Sequence, residues 1–220
     1  MEEPTEGSDE RNGVFVAAFR GNDDPRRIVT LGSYYPVNQV LDASGALRFI
    51  KEGGETGYSA ASVGAMRDAV RWTRWINALN QGRKWVLQRL FERLDPMLAP
   101  DIAVAVVPSH DPFLDVPPIR ELARRLAASG ERVDATGCLV RHTKIKRIVW
   151  GGPSYPGLHR DTISIVDPHL VEGRRVLLLD DIAKSGASLR ACQELLLRHA
   201  GAARVQPMAL GRVVTRGREG

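Results

Sequence analysis

From Gly13 to Ile50 the chain alternates short apolar runs with clusters of turn-forming residues. Val14-Phe19, Arg27-Leu31 and Leu47-Ile50 read as strands, separated by Gly21-Asn22-Asp23-Asp24-Pro25 and Asp42-Ala43-Ser44-Gly45. Gly53 to Gly57 reads as a loop. Met66, Val70, Ile76, Leu79, Val86, Leu90 and Leu94 then recur at near-helical spacing, which predicts one long helix from Val63 to Leu94 with a break at Gly82. Trp72, Trp75 and Trp85 interleave with Arg71, Arg74, Arg83 and Lys84 along it. This pattern fits a core face edged by arginines whose stems lie along apolar surface. It could also stack nucleobases.

Beyond Pro96 and Pro100 the pattern changes. Ile102 to Val107 is a continuous apolar run, as expected of a strand buried on both faces of a parallel sheet. A loop, Pro108-Ser109-His110-Asp111-Pro112, and a helix from Pro118 to Ser129 follow. Val133-Val140 and Ile163-Val166 read as strands, and Arg175-Leu179 is the most strongly apolar one, leading into Asp180-Asp181. A helix from Ala187 to His199 ends at Gly201, and Arg204-Leu210 closes the series. Alternating strands and helices predict a doubly wound, mostly parallel α/β sheet with right-handed crossovers, spanning 101–220. Residues 13–100 form an N-terminal extension of strands and a long helix, and 1–12 an acidic, disordered leader.

Bulk properties narrow the field. The chain has 220 residues, 43% hydrophobic and 26% charged, within the ordinary range for a globular protein. No run approaches the ~20 apolar residues of a membrane span, and Met1 to Glu10 lacks an apolar signal core, so a cytoplasmic location is expected. The only cysteines, Cys138 and Cys192, lie in apolar runs and read as buried free thiols. A net charge of +5 admits a nucleic-acid partner, but the arginines are scattered. The five lysines are more telling, since Lys144, Lys146 and Lys184 fall in segments that bear on a candidate site.

The segment after Leu179 carries the chemistry. Ligands of an open parallel sheet bind beyond the C-terminal ends of its strands. There, Ala183, Lys184, Ser185, Gly186, Ala187 and Ser188 offer consecutive backbone N–H groups, two hydroxyls and the positive end of a helix dipole, the parts of a monophosphate cradle. Asp180 and Asp181 would repel a phosphate alone. They suit a ligand that carries a diol beside its phosphate, because ribose hydroxyls donate to carboxylates, and they could also steady a magnesium ion.

The run Val176-Leu177-Leu178-Leu179-Asp180-Asp181-Ile182-Ala183-Lys184-Ser185-Gly186-Ala187-Ser188 resembles the motif of type I phosphoribosyltransferases that binds phosphoribosyl pyrophosphate (PRPP). That motif is an apolar strand, two acidic residues and a Thr/Ser-Gly-x-Thr/Ser loop. The resemblance implies that Asp180 and Asp181 hold the ribose hydroxyls and that Ala183 to Ser188 hold the 5-phosphate. It implies a diphosphate loop at Ser109 and His110, and a mobile basic loop, Arg141 to Arg147, whose Lys144, Lys146 and Arg147 meet the leaving group. Gly151 to Gly157 would let that loop close. The implied activity is magnesium-dependent pentosyl transfer from PRPP to a nitrogenous base, by a protein that could pair as a homodimer. Leu122-Ala123-Arg124-Arg125-Leu126-Ala127 and Arg160-Asp161-Thr162-Ile163-Ser164-Ile165 resemble the competence-associated ComF branch of that fold. The sequence departs from the branch in having no cysteine-rich zinc segment, and in carrying Asp115-Val116-Pro117-Pro118-Ile119 where an Arg-Gly-Phe-Asn-Gln type segment stands. Two further roles remain open on sequence grounds, a non-catalytic sensor of PRPP or nucleotide and a nucleic-acid-processing accessory. Tyr34, Tyr35 and Arg212 are candidate contacts for an acceptor base.

Overall fold

A computed structural model describes residues 13–34, 39–41, 47–51, 54–56, 62–113, 117–145 and 156–213. Its main sheet has five strands, β1 (Val29–Tyr34), β5 (Ala103–Val106), β6 (Val133–Asp134), β9 (Arg175–Ala183) and β10 (Arg204–Val213), in the order β1-β10-β9-β5-β6. All four pairings are parallel. Two small antiparallel sheets stand apart, one of β2 (Gln39–Leu41), β3 (Leu47–Lys51) and β4 (Gly54–Thr56), the other of β7 (Leu139–Arg141) and β8 (Ile163–Ile165).

The continuous apolar runs of β5 and β9 follow from burial on both faces. Val104, Val106, Leu177 and Leu179 project to one side, against α1 (Ser62–Asn80), α2 (Lys84–Leu94) and α3 (Pro118–Ala128). Ala103, Ala105, Val176 and Leu178 project to the other, against α5 (Ala187–Arg198). Helices on both faces make the sheet doubly wound. Its edge strand β1 comes from before residue 100, so segments on both sides of that position build the one sheet.

A pair of glycines sets the approach of α1. Gly32 and Gly211 are register partners on β1 and β10. A Cβ at Gly32 would overlap the Trp72 indole, and one at Gly211 would lie 2.6 Å from Ile76 Cδ1. The notch lets both side chains close down on the sheet, and Trp72 and Ile76 are buried there. Arg132 joins α2, α3 and the start of β5: it pairs with Asp95 at 2.5 Å and donates to the carbonyls of Leu98, Ala99 and Leu126.

Several boundaries differ from the sequence pattern. Val14-Phe19 is not a strand: Phe15 makes a single bridge to Leu98, and Ala17–Asn22 is a 3-10 helix. Asp23 accepts the Val14 N–H at 2.8 Å and so draws the chain into that turn. The long helix breaks where expected, with Gly82 left-handed at φ 72°. Val133-Val140 divides into β6 and β7 at a turn closed by Cys138 N–H to Ala135 O at 3.0 Å. Gly54–Thr56, expected as loop, pairs with β3, and Pro156–Thr162 forms a short helix, α4, that the pattern did not announce. β9 runs four residues beyond Leu179, so Asp180 and Asp181 are strand residues. Cys138 and Cys192 are buried free thiols, and burial pushes the Cys138 thiol up to about 11. Among the described residues no helix is long and apolar enough to cross a membrane.

Candidate functional site

Three segments meet beyond the C-terminal end of the main sheet: the loop after β5, the end of β7, and the turn from β9 into α5. Consecutive strand residues leave on opposite faces, and Asp180 and Asp181 start that way. Asp180 faces the Cys192 and Arg141 side, while Asp181 accepts a hydrogen bond from Asn80 Nδ2 at 2.8 Å. The two carboxyl groups nevertheless meet across the strand end. Burial, then the Asp181 charge and a hydrogen bond with Asp181, hold the Asp180 carboxyl well above the usual carboxylate range. Asp180 Oδ1 also accepts the Asp181 N–H at 2.9 Å, so two carboxyl groups, one of them biased toward its neutral form, stand together at this edge. The pair can accept donors such as a diol, or exchange its proton for a cation.

Tyr34, at the end of β1, is buried and donates to Asn77 Oδ1 at 3.0 Å. Burial and the Asp181 charge raise its phenol. Asn77 and Asn80 both lie in the last turn of α1, so the helix supplies amide donors and acceptors to the acidic edge.

The turn beyond β9 takes its shape from Gly186, left-handed at φ 79° and ψ 8°, directly before α5. A Cβ there would overlap Ile28 Cδ1. Ala183 is buried at the end of the strand, in register with Arg212, and the turn proper begins at Lys184. The N–H groups of Lys184, Gly186 and Ser188 have no partner among the described residues. Ser185 is exposed, and its Oγ accepts the Ala187 N–H at 3.3 Å. Ser188 Oγ lies 3.3 Å from His159 Nε2. Lys184 is exposed.

Behind the turn lies a network built on Arg141, expected at the start of the basic loop but found buried at the end of β7. Arg141, 3% exposed, donates to Ser109 O at 2.7 Å and Thr162 Oγ1 at 2.5 Å, and its Nη2 stands 3.4 Å from His159 Nδ1. Burial, followed by the Arg141 charge, lowers His159 to about 4, so its ring is neutral near pH 7. His159 and Thr162 are three residues apart on α4, one helical face. That spacing is the one sequence signal that could have marked them.

The loop after β5 is folded on itself. Ser109 Oγ accepts the Asp111 N–H at 3.3 Å, and Asp111 Oδ1 accepts the Phe113 N–H at 3.0 Å. Asp111 Oδ2 pairs with Lys144 Nζ at 2.5 Å, and that hydrogen bond, with the one from Phe113, lowers the Asp111 carboxyl. His110 O accepts the Ile145 N–H at 2.9 Å. The first and second loops are thus tied together, in part by the exposed Lys144 pairing with Asp111. Lys146, Arg147, Tyr35 and residues 151–155 lie outside the described residues.

Magnesium takes six oxygens in near-octahedral geometry, commonly one or two carboxylates with phosphate oxygens and water. Asp180 and Asp181 fit that smaller share. Among the described residues no group of three or more His, Cys, Asp or Glu could hold a metal ion unaided, so a magnesium ion there would need its other oxygens from outside the protein. No protein-family model matches the chain, and no curated protein matches it.

Proposed function

We propose that the chain binds a ribose 5-phosphate group, as PRPP or a nucleotide, and transfers the phosphoribosyl group to a nitrogenous base in a magnesium-dependent reaction. One observation carries the reading: a left-handed glycine turn with unpartnered amides opens α5 directly beyond an acidic pair at the end of a central parallel strand. A phosphate seated on that turn would meet the Lys184, Gly186 and Ser188 amides and the helix dipole. The adjoining sugar would then lie over Asp180 and Asp181, whose carboxyl oxygens accept from its diol. Displacement at the anomeric carbon loosens the bond to diphosphate before the base nitrogen arrives. The acidic edge favours the positive charge that develops on the sugar, and Lys144, Lys146 and Arg147 favour the charge that leaves. Asp180 and Asp181 would hold magnesium, which neutralises the diphosphate.

Isothermal titration with PRPP and magnesium checks this reading on the wild type and on an Asp180→Asn/Asp181→Asn double variant. Heat from the wild type and a large loss in the variant are expected. Equal heats, or none from either protein, would refute it.

A second reading, a nucleotide- or PRPP-binding regulator without turnover, draws on the Lys144–Asp111 ion pair. A lysine held by a carboxylate is withdrawn from a leaving diphosphate. Pyrophosphate release with any base in a panel excludes this alternative, whereas binding without release supports it.

A further inference from the structure

Arg141 is a buried cation whose hydrogen-bond partners, Ser109 O, Thr162 Oγ1 and His159 Nδ1, are all neutral. A guanidinium only donates. His159 Nδ1 must therefore accept, which puts the ring hydrogen on Nε2 and directs it at Ser188 Oγ, 3.3 Å away. Ser188 Oγ is then an acceptor on its inner side. Among the described residues nothing takes its own hydrogen, which is left free beside the unpartnered amides of the turn. Thr162 cannot substitute as a donor to the ring, because its hydroxyl already donates to Leu158 O at 2.7 Å.

We infer that Arg141 and His159 are positioning residues for a phosphomonoester: through a fixed ring tautomer they make Ser188 an obligate donor to a phosphoryl oxygen on the Lys184–Ser188 turn. The inference rests on the ribose 5-phosphate reading and deepens it. Three features support it. His159 stays neutral over the working range, because burial and Arg141 both oppose its protonation, so the relay does not titrate away near pH 7. Asp180 acts on Arg141 only from beyond ion-pairing distance and is itself biased toward its neutral form; a buried positive charge so weakly compensated is costly, and a phosphate on the turn would add negative charge nearby. The network also spans β7, α4 and α5, so it sets the turn from behind without occupying it.

The test uses ribose 5-phosphate as the probe with the full chain. His159→Gln keeps one acceptor and one donor, and it should bind within about twofold of the wild type. His159→Leu and Ser188→Ala should each weaken binding on the order of tenfold, as expected for losing a hydrogen bond to a charged group. In the Ser188→Ala background His159→Leu should add nothing. Binding by the wild type that His159→Leu leaves unchanged, in a variant with a normal melting transition, overturns the inference and leaves the ribose phosphate reading standing. No binding by the wild type removes both. If His159→Leu does not fold, the Gln and Ala variants decide: equal losses in both contradict the relay. Nitrogen-15 shifts of the ligand-free protein give an independent arm. They should show His159 as the Nε2–H tautomer, and an Nδ1–H or doubly protonated ring at pH 7 overturns the inference whatever the binding data show.

Discussion

At Gly186 the backbone stands at φ 79°, where an L side chain is strained, and Ile28 fills the space a Cβ would need. Gly186→Ala should therefore cost about 1–2 kcal/mol from the left-handed conformation alone. An added steric part should be recovered by Ile28→Ala, because the clash is with the end of a flexible side chain. Urea unfolding of the single and double variants checks both parts, and a Gly186→Ala protein as stable as wild type would show that the turn adopts another shape. Asp180 carries a different expectation. Its carboxyl is held above the 3.8 of an ordinary aspartate, chiefly by burial and then by Asp181. The unfolded chain therefore sheds this proton first as pH rises, and the native state loses stability from about pH 4 upward through the raised value. Asp180→Asn removes that loss. The variant should melt higher than wild type at neutral pH, with the difference shrinking to nothing near pH 4. Parallel pH slopes for the two proteins would contradict a raised Asp180 carboxyl. Natural proteins tolerate such a destabilising group where function needs it.

The docking of α1 on the sheet depends on Gly32 and Gly211, and here packing governs what the sequence shows. Trp72 cannot simply swing aside: it meets Trp75 edge-on with ring centroids 5.3 Å apart, and the Arg93 guanidinium lies 5.4 Å from its ring. Gly32→Ala should thus destabilise by about 1–3 kcal/mol through overpacking. Gly21→Ala, where nothing lies within 4 Å, serves as the control and should shift stability by less than about 0.5 kcal/mol. If both substitutions are equally mild in urea unfolding, the notch is not a close approach. β5, β9, α3, α5 and the Gly82 break were all legible, because a strand buried on both faces and an amphipathic helix each leave a one-dimensional signature. The Gly32–Gly211 notch was not, since it joins residues 32 and 211 across two strands. α4 escaped for a related reason: at seven residues it is too short to show a period. The acidic pair and Gly186 were read correctly as neighbours at a strand end. The extension of β9 through Ala183 was not foreseen, because aspartates are poor strand formers and only pairing with β10 keeps them extended. His159, and the burial of Arg141 against it, were hidden because both depend on contacts between segments far apart in the chain.

Across the molecule two kinds of positive charge are separated, and salt tells them apart. The outer face of α2 presents Lys84, Arg89 and Arg93, with Arg83 just before it and Trp85 55% exposed. That face offers charge and one aromatic surface to any polyanion. Arg141 is instead enclosed beneath the Lys184–Ser188 turn. Exposed charges are screened at 1 M salt, where the Debye length is about 3 Å, while buried ones are screened much less. Ribose 5-phosphate held at the turn should therefore raise the melting temperature with modest dependence on salt, whereas attraction of single-stranded DNA to the α2 face should fall steeply. At a ligand concentration near 100 times Kd, linkage stabilises the native state by about 2.7 kcal/mol. At roughly 2–4 °C per kcal/mol for a chain of this size, the shift should be about 5–10 °C. Magnesium with PRPP should extend it, because the acidic edge then gains a counter-charge, and Asp180→Asn/Asp181→Asn should remove that extension while retaining part of the phosphate response. A thermal shift that appears only at low salt, and that Trp85→Ala with Arg89→Ala abolishes, would place the anion on α2 and leave the turn without its ligand.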